Sequence, residues 1–557
     1  MTRTFVTFLL ACLLATPPGL RAQQDAPDSG SPRSETRDDD SQAGGAEIFL
    51  GAFRAIRNYH QDAFSDSTLW EKALDGLIEE LNDPYASVFT PSQYSRFQED
   101  NTGNYAGIGV TITQLDDRIT VTGVFRGTPA EDAGLEVGDR IVAVGDADAT
   151  SWSVDQASDS IRGPVGSEVK IEVDRKGIPE SLPMTIRREE VHVSSVTAET
   201  IHDSIGYLRL DRVARNSAQE VDSALSLLRS SRGLVIDLRR NPGGYLDESL
   251  HIADLFLHPG QKLASARSRV PGNGDRFRTE SWKAQDSARI TNVPIVILVD
   301  RYTASAAEIV TGALQDHDRA LVLGERTFGK GVVQTIMRIP GNRRIRLTTG
   351  SWYTPLGRSL HRPRDKQGRP LTEDLDTFPA VSSDSGRPLK GGGGIFPDIP
   401  VADDTLSTAQ QDLLAAAGEA KIPLTARITE VAVEEAHQRK ESGRSGGPLL
   451  SDSTLDAFVG SLESDGLPAE AMKAPDAREY LDWRLRAQVA SRMDDMKRVL
   501  AIRLEKDRVL SRAVQLLESA GDQGDLFAEA ARERAERAAE TADSGHHPAT
   551  SGSRGSL

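Results

Sequence analysis

The period of the apolar residues changes three times along this sequence, and each change predicts a segment with its own fold. Apolar residues recur at helical spacing over 47–100, alternate in short strands over 101–190, form strands alternating with helices over 191–404, and return to helical spacing over 405–543. At 557 residues the chain is also too long for one hydrophobic core, since such cores rarely grow past about 250 to 300 residues. The sequence therefore predicts a multidomain α+β protein with a helical N-terminal module, a β-rich domain, an α/β core and a helical C-terminal extension.

The two ends of the chain are more polar than its middle. Residues 1–22 carry the basic Arg3 near their start, continue with the apolar run Phe5 to Ala15 and end on the small residue Ala22, which is the layout of a secretory signal peptide. Residues 23–46 and 544–557 lack an apolar period and are predicted to be a disordered tether and a disordered tail. We therefore expect an exported protein, periplasmic or extracellular, without a stable membrane span.

Charge and cysteine content exclude several functions. The formal net charge is −17 without a block of Lys and Arg, so nucleic acid is not an expected partner. The single cysteine, Cys12, follows Leu-Leu-Ala in the leader, and a lipid anchor there is the less favoured alternative to cleavage near Ala22. Cleavage near Ala22 leaves no cysteine for a disulfide or a metal site, and no histidine pair has the spacing of a zinc site. We expect neither a metal nor a cofactor.

The strongest chemical signal is a strand, a turn and a helix around Ser305. The strand Val293 to Val299 leads into a helix that begins near Ala306, where unpaired N–H groups and the helix dipole would stabilise an oxyanion. Lys330 lies 25 residues downstream in a Gly-rich turn. It can serve as the base for this serine if burial lowers its pKa from about 10.4 toward 7 or 8. Gln334 could hydrogen-bond the amine and orient it.

Each of these features has a simpler explanation when taken alone. A serine at a helix start is usually an N-cap, and a lysine between glycines is usually solvated. The turn after the strand in GLVIDLRRNPGGYL needs glycine either for its backbone conformation or to place N–H groups against a ligand. A Ser-His-Asp triad is the other serine-protease interpretation, but His317, beside Asp316, is predicted to lie in an exposed turn.

The β-rich segment begins with the letters YAGIGV, continues with GTPAEDAGLEVGDRIVAVGD and ends with IRGPVGS. A Gly-x-Gly loop that opens a strand can present backbone N–H groups to a terminal carboxylate, while the peptide adds as an extra strand. With these motifs in this order, residues 101–190 resemble a PDZ domain. The segment TASAAEIVTGALQDHDRALVLGERTFGKGVVQ, together with GLVIDLRRNPGGYL, resembles the catalytic segments of the carboxyl-terminal processing, or tail-specific, serine peptidases.

This resemblance implies a crotonase-like peptidase core at 191–404 and assigns roles to individual residues. Ser305 would be the nucleophile, Lys330 the general base and Gln334 the residue that orients the base, with Asp316 as a supporting residue. The resemblance implies an oxyanion hole at Gly243, Gly244 and Ala306, and a tail-binding site at Tyr105, Gly107, Ile108, Gly109 and Val110. The implied substrates are exported proteins with free, apolar C-termini.

Several features depart from the family pattern or have no motif. Ala307 stands where the family often has serine, and residues 361–390 look like an insertion that forms a lid or an exposed loop. In the extension, an apolar stripe is predicted to lie on one face of a long helix, formed by Leu485, Val489, Met493, Met496, Leu500 and Leu504. Packing onto the rest of the protein is the favoured interpretation over a dimerising coiled coil. A homo-oligomer stays compatible with the sequence.

Three functions from different classes follow. The leading hypothesis is an endopeptidase that cleaves through an acyl-enzyme on Ser305. The second is a PDZ scaffold that has kept the peptidase fold without turnover. The third is a protein that binds small apolar ligands, which the α/β core would permit but which would not require a Ser-Lys pair.

Overall fold

The computed structural model describes residues 40–272, 275–286, 288–290, 292–374, 377–402, 406–443 and 446–544. The predicted signal peptide with Cys12, residues 23–39 of the predicted tether and residues 545–557 of the predicted tail lie outside the described residues. The chain divides into two compact units, 1–73 and 74–557.

The first unit holds the helix α1 (Asp40–Tyr59) and the start of α2 (Asp66–Glu80). Phe53 of α1 stacks on Trp70 of α2, with ring centroids 4.3 Å apart. The predicted start of folding at residue 47 is wrong, because α1 already begins at Asp40. Residues 40–46, with the sequence DSQAGGA, include two glycines and have little helix preference of their own, so the helix reaches them as a continuation of the apolar helical turns that follow.

The second unit begins with the rest of α2 and with the β-rich region. Its elements are β1 (Ser87–Phe89), α3 (Pro91–Thr102), β2 (Asn104–Gly107), β3 (Val110–Leu115), β4 (Arg118–Val124), α4 (Pro129–Asp132), β5 (Arg140–Val144), β6 (Ala147–Asp148), α5 (Val154–Ile161), β7 (Glu168–Asp174), β8 (Leu182–Arg187) and β9 (Glu189–His192).

The β-rich region forms one sheet in the order β3-β4-β5-β7-β8, with β6 on β5. Burial alternates along β7, where Val169, Ile171 and Val173 are buried and the residues between them are exposed. This period of two is typical of an antiparallel sheet with one face on the core and one in water. The strands β2 and β9 pair with each other outside this sheet.

The α/β core follows. Its elements are β10 (Val196–Ile201), β11 (Ile205–Leu210), α6 (Ser217–Leu227), β12 (Gly233–Asp237), α7 (Leu246–Asp254), β13 (Lys262–Arg269), β14 (Phe277–Lys283), β15 (Ile295–Val299), α8 (Ala306–Asp316), β16 (Leu321–Gly324), β17 (Val332–Arg338), β18 (Arg344–Tyr353), β19 (Ala380–Ser382), β20 (Pro388–Lys390) and β21 (Ile399–Pro400).

The central sheet has the order β10-β11-β12-β15-β16-β21 and is parallel except for the β10–β11 pair. Every residue of β12 and β15 is buried, which explains why these strands read as continuous apolar runs. A second sheet, β1-β18-β13-β14 with β17 on β18, lies beside it. Because β1 pairs with β18, the chain after α2 contributes a strand to the α/β core.

The extension is helical: α9 (Thr408–Glu419), α10 (Leu424–Glu441), α11 (Asp452–Ser464), α12 (Glu470–Lys473), α13 (Pro475–Arg492), α14 (Met496–Leu504), α15 (Arg508–Ser519) and α16 (Gln523–Ser544). The prediction of one long helix under the apolar stripe is wrong, because α13 ends at Arg492 and Asp494 has a φ of +55°. The stripe nonetheless packs internally: Leu485 and Val489 are buried among the extension helices, and Leu500 is buried against the central sheet.

The C-terminal helices complete the core. Apolar residues of α15 and α16 cover the face of the central sheet opposite α6, α7 and α8. A buried ion network ties them to the sheet, since Arg239 donates to Asp237 Oδ2 at 2.7 Å and to Asp507 Oδ2 at 2.8 Å. Among the described residues, none of these helices has the length and apolar character that a membrane span requires.

Candidate active site

The turn between β15 and α8 holds Ser305 in an unusual backbone conformation. Ser305 has φ +54° and ψ −117°, a region that costs a non-glycine residue free energy and that is frequent at functional sites. The turn is fixed by Asp300, whose Oδ1 accepts the N–H groups of Arg240, Tyr302 and Thr303 at 2.9 to 3.0 Å. Ser305 therefore lies immediately before the first residue of α8, in the turn that follows a buried strand.

The Gly-rich turn after β12 packs directly against this serine. A Cβ at Gly243 would meet Ala304 O at 2.6 Å and Ala306 N at 2.8 Å, so only glycine permits this approach. The N–H of Gly243 donates to Asn241 Oδ1 at 2.9 Å. Ala306 is the first helical residue, so its N–H has no partner within the helix. The Gly243 N–H therefore already has an acceptor, whereas the Ala306 N–H has none within the helix.

Glu308 links the serine turn to the lysine loop. Its carboxylate is fully buried, and Oε2 accepts the backbone N–H groups of both Ser305 and Lys330, each at 2.8 Å. The other oxygen, Oε1, accepts Gly329 N–H at 2.8 Å and the Thr327 hydroxyl at 2.5 Å. Burial raises the pKa of Glu308, and these hydrogen bonds oppose that rise. One side chain thereby places the backbones of the predicted nucleophile and the predicted base side by side.

The loop that carries Lys330 is enclosed on its other side. A Cβ at Gly331 would meet His361 N at 2.5 Å, so the start of the predicted insertion lies tightly against the loop. The buried Trp352 donates from its ring nitrogen to Lys330 O at 3.0 Å. Burial, assisted by the nearby Arg346, lowers the pKa of Lys330 to about 8. A substantial fraction of the amine is therefore neutral near physiological pH.

Tyr85, in the turn between α2 and β1, covers the lysine. Lys330 Nζ lies over the Tyr85 ring, 5.1 Å from its centroid, and Tyr85 O accepts a hydrogen bond from Gln334 Nε2 at 2.9 Å. Because Nε2 is used in this bond, Oε1 is the atom of the Gln334 amide that can accept a hydrogen bond from the Lys330 amine. No hydrogen bond joins Ser305 Oγ to Lys330 Nζ within the described residues. Catalytic hydrogen bonds often tighten only when substrate binds.

The first residues of the predicted insertion form part of this enclosure. Arg362 N–H donates to Gly329 O at 2.9 Å, and Arg364 donates to Phe328 O at 2.6 Å while its guanidinium lies over the Phe328 ring. Glu373 accepts hydrogen bonds from both Arg326 and Arg362 at 2.8 Å. Residues 361–364 are therefore packed on the lysine loop rather than exposed along their length.

Asp316 lies at the opposite end of α8 from Ser305. It is fully buried, accepts from the Arg358 guanidinium at 2.5 Å, and accepts Leu356 N–H at 2.8 Å. These contacts fix the C-terminal end of α8 against the chain that follows β18, which suits the predicted supporting role. The two ring nitrogens of the neighbouring His317 face the acceptors Asp384 Oδ2 at 2.7 Å and Lys262 O at 2.8 Å, away from the serine turn.

The predicted tail-binding residues form the end of β2, the loop after it and the start of β3. The Ile108 side chain is buried in the core of the β-rich region, so only its backbone could reach a ligand. Burial raises the pKa of Tyr105, and the backbone N–H groups of Gly109 and Val110 lie close enough to its hydroxyl to oppose that rise. Arg162 lies over the Tyr105 ring, 5.1 Å from its centroid. The N–H groups expected to bind a carboxylate thus face a polar oxygen.

Sequence reasoning missed three residues of this site: Glu308, Tyr85 and Asn241. Glu308 had a detectable signal, because Ser305-Ala-Ala-Glu308 is a capping-box pattern. Tyr85 follows the Asn-Asp-Pro helix breaker and Asn241 precedes the Pro-Gly-Gly turn, and neither has a local pattern that indicates its partner.

Comparison with known proteins gives two family matches. The model described as peptidase family S41 matches residues 204–367, and the model described as PDZ domain matches residues 97–174. The Carboxy-terminal-processing protease of Bartonella bacilliformis is 32% identical over 333 residues, which are 59% of this chain and 74% of that protein. The Carboxy-terminal processing protease CtpA of Bacillus subtilis is 29% identical over 411 residues, 73% of this chain and 84% of that protein. The Carboxyl-terminal-processing protease of Synechocystis is 32% identical over 319 residues, 56% of this chain and 73% of that protein.

Proposed function

Because this chain belongs to the carboxy-terminal processing proteases, as the sequence resemblance predicted, we propose that it is an exported serine endopeptidase that cleaves with Ser305 and Lys330. The PDZ domain would bind the free C-terminal tail of its protein substrates. The observation that carries the proposal is the shared Glu308 oxygen, which brings the backbones of Ser305 and Lys330 together. The leader-like sequence supports export, and the alternation of parallel strands and helices supports the crotonase-like core.

In the proposed mechanism, the neutral Lys330 amine takes the proton of the Ser305 hydroxyl as Oγ attacks the scissile carbonyl. The N–H groups of Ala306 and Gly244 would donate to the oxyanion, aided by the N-terminal end of the α8 dipole. The Lys330 ammonium would then protonate the leaving amine. Water, activated by the same amine, would hydrolyse the acyl-enzyme. Gln334 would hold the amine through its Oε1.

Activity is expected to rise with pH through about 8, because burial lowers the Lys330 pKa to about 8 and only the neutral amine can accept the proton. The check is kcat/KM for a tail-bearing substrate from about pH 6 to about pH 10, a range that brackets a lysine base. A profile that is flat across this range would show that the base is not a lysine with a lowered pKa.

Removing the ring of Tyr85 is expected to move that rise to higher pH. In Tyr85→Ala, water would reach the Nζ of Lys330. Burial is the largest cause of the lowered Lys330 pKa, so this pKa should return toward its ordinary value. Tyr94→Ala is the matched control, because Tyr94 lies over Arg344, 4.9 Å away, rather than over Lys330. Equal pH profiles for the two variants would contradict a role of Tyr85 at the base.

Tail recognition is tested with matched protein substrates that end in the same short apolar tail. A free carboxylate accepts from the loop N–H groups, whereas a carboxamide lacks the charge and offers donors where acceptors are needed. Amidation is therefore expected to lower kcat/KM by about tenfold or more, the equivalent of one charge-assisted hydrogen bond. Cleavage of both substrates at the same rate would mean that the PDZ domain does not recognise the C-terminus.

A further inference from the structure

A cavity of about 850 Å³ lies between the PDZ domain and the helical extension. The PDZ domain contributes the end of β4 and the following turn, including Val124 and Phe125. The extension contributes Arg439 near the end of α10, and Arg492 and Met493 at the end of α13. The volume is within the range of sites that bind small organic molecules.

Two guanidinium groups that line this cavity are not fully satisfied. Arg439 is only 8% exposed, and its Nε and Nη2 donate to the carbonyl oxygens of Leu449 and Pro448. Its Nε also forms an ion pair with Glu435 Oε1 at 3.6 Å, but its Nη1 is buried without a hydrogen-bond partner.

The guanidinium of Arg492 has fewer partners than that of Arg439. Its Nε is buried without a partner, and no carboxylate or carbonyl in the described part of the chain pairs with its guanidinium. An arginine in the last turn of a helix commonly bonds the terminal carbonyls, but Arg492 makes no such bond here. Burial lowers the pKa of Arg492, and no nearby acid opposes this.

The other cations around the cavity are matched by acids. Arg126 pairs with Asp494 at 2.6 Å, and Lys440 pairs with Glu136 at 3.4 Å. His437 pairs with Glu441 at 3.3 Å. Among the described residues that line the cavity, Arg492 is therefore the cation without an ion pair, and Arg439 is the ion-paired cation that keeps one buried N–H group without an acceptor.

We propose that this cavity is a binding site for an organic carboxylate with an apolar body. A buried N–H group without an acceptor costs folding free energy, and a carboxylate that accepts from Arg439 Nη1 and Arg492 Nε would recover that cost. The apolar side chains of Val124, Phe125 and Met493 would contact the body of the ligand, while the guanidinium groups donate to its carboxylate. A strongly hydrated inorganic anion would gain nothing from the apolar wall.

Such a ligand would contact both the PDZ domain and the extension. Phe125 N–H donates to Gly109 O at 2.9 Å, so the cavity wall is joined directly to the predicted tail-binding loop. Occupancy of the site should therefore stabilise the packing of the PDZ domain on α10 and α13.

The test measures the thermal unfolding midpoint (Tm) and the calorimetric binding of the full chain with four probes. Two probes are candidate ligands: hexanoate represents a simple organic acid, and N-acetylleucine represents the carboxylate of an amino acid. Two probes are controls: hexanamide has the apolar body of hexanoate without its charge, and inorganic phosphate has the charge without an apolar body. We expect either carboxylate to raise Tm by about 2 °C or more at saturation, and the other two probes to leave it unchanged. An equal response to phosphate, or to hexanamide, would overturn the proposed ligand class.

Two variants of α13 distinguish a ligand-binding arginine from a structural one. Arg492→Met removes a partly buried cation that has no ion pair among the described residues, so Tm without ligand should stay the same or rise. The response to carboxylates should disappear. Arg486 pairs with both Glu505 and Asp482, so Arg486→Met should lower Tm and keep the response. A full carboxylate response in Arg492→Met would overturn the proposed site, and so would a Tm loss in that variant equal to that of Arg486→Met.

Discussion

Replacement of Ser305 by Ala, or of Lys330 by Arg, is expected to lower kcat/KM by about 10⁴-fold or more, the loss typical of a missing nucleophile or base. Alanine cannot form an acyl-enzyme, and arginine stays charged at any accessible pH and so cannot take the serine proton. The fold should tolerate both changes. Alanine at position 305 retains the positive φ of +54° and about the same backbone cost, so Tm should move by about 2 °C or less.

The measurement is cleavage of a tail-bearing protein substrate, followed by mass spectrometry of both product termini. Lys366→Arg is the matched control for the lysine substitution, because Lys366 lies within 361–390, pairs with Glu80 and is 39% exposed. This control should retain full activity. Substantial turnover by Lys330→Arg would show that another group is the base. An intact rate in Ser305→Ala would rule out the acyl-enzyme on Ser305.

The sequence could predict the elements around the site because their signals are local. The apolar run Val293 to Val299 predicts a buried strand, and the structure places β15 at Ile295–Val299, followed by the turn that holds Ser305. The glycines of the turn after β12 indicate a close backbone approach, which the contact of Gly243 with Ser305 and Ala306 requires. Periods of two and of 3.6 residues, and turn glycines, are properties of short segments.

What the sequence could not predict depends on contacts between distant segments. Tyr85 lies 245 positions before Lys330, and only the pairing of β1 with β18 brings it over the amine. The extension has no motif, yet α15 and α16 supply one of the two apolar layers on the central sheet. The end of α13 at Arg492 interrupts an unbroken apolar stripe, because Asp494 adopts a left-handed backbone conformation that the apolar period does not indicate. Such contacts and local breaks require the whole fold.

Replacement of Glu308 is expected to have the second largest effect, because this one carboxylate serves both catalytic segments. Glu308→Ala would leave the buried N–H groups of Ser305, Gly329 and Lys330 without an acceptor, at about 1 to 3 kcal/mol each, so Tm should fall sharply. Glu308→Gln keeps the volume but offers one acceptor oxygen where two are used, and its amide N–H groups would face backbone donors. We expect this variant to fold, with a smaller loss of Tm.

Activity of Glu308→Gln should nonetheless fall by about 10²-fold, since a displacement of about 1 Å between nucleophile and base has that effect. The loss should appear in kcat rather than in KM, because the tail site is far from α8 in the sequence and does not contact Glu308.

Asp316→Asn is the matched control: it weakens a buried carboxylate at the other end of α8, where the partner is Arg358. Asp316→Asn should lower Tm, because it weakens a buried interaction. The kcat of its folded molecules should stay within about threefold of the native value, as expected for a change that affects stability alone. If Glu308→Gln and Asp316→Asn lose kcat equally, the carboxylate of Glu308 stabilises the helix without aligning the two catalytic segments. If only Glu308→Gln loses kcat, the oxygen shared by the Ser305 and Lys330 N–H groups aligns the two residues for catalysis.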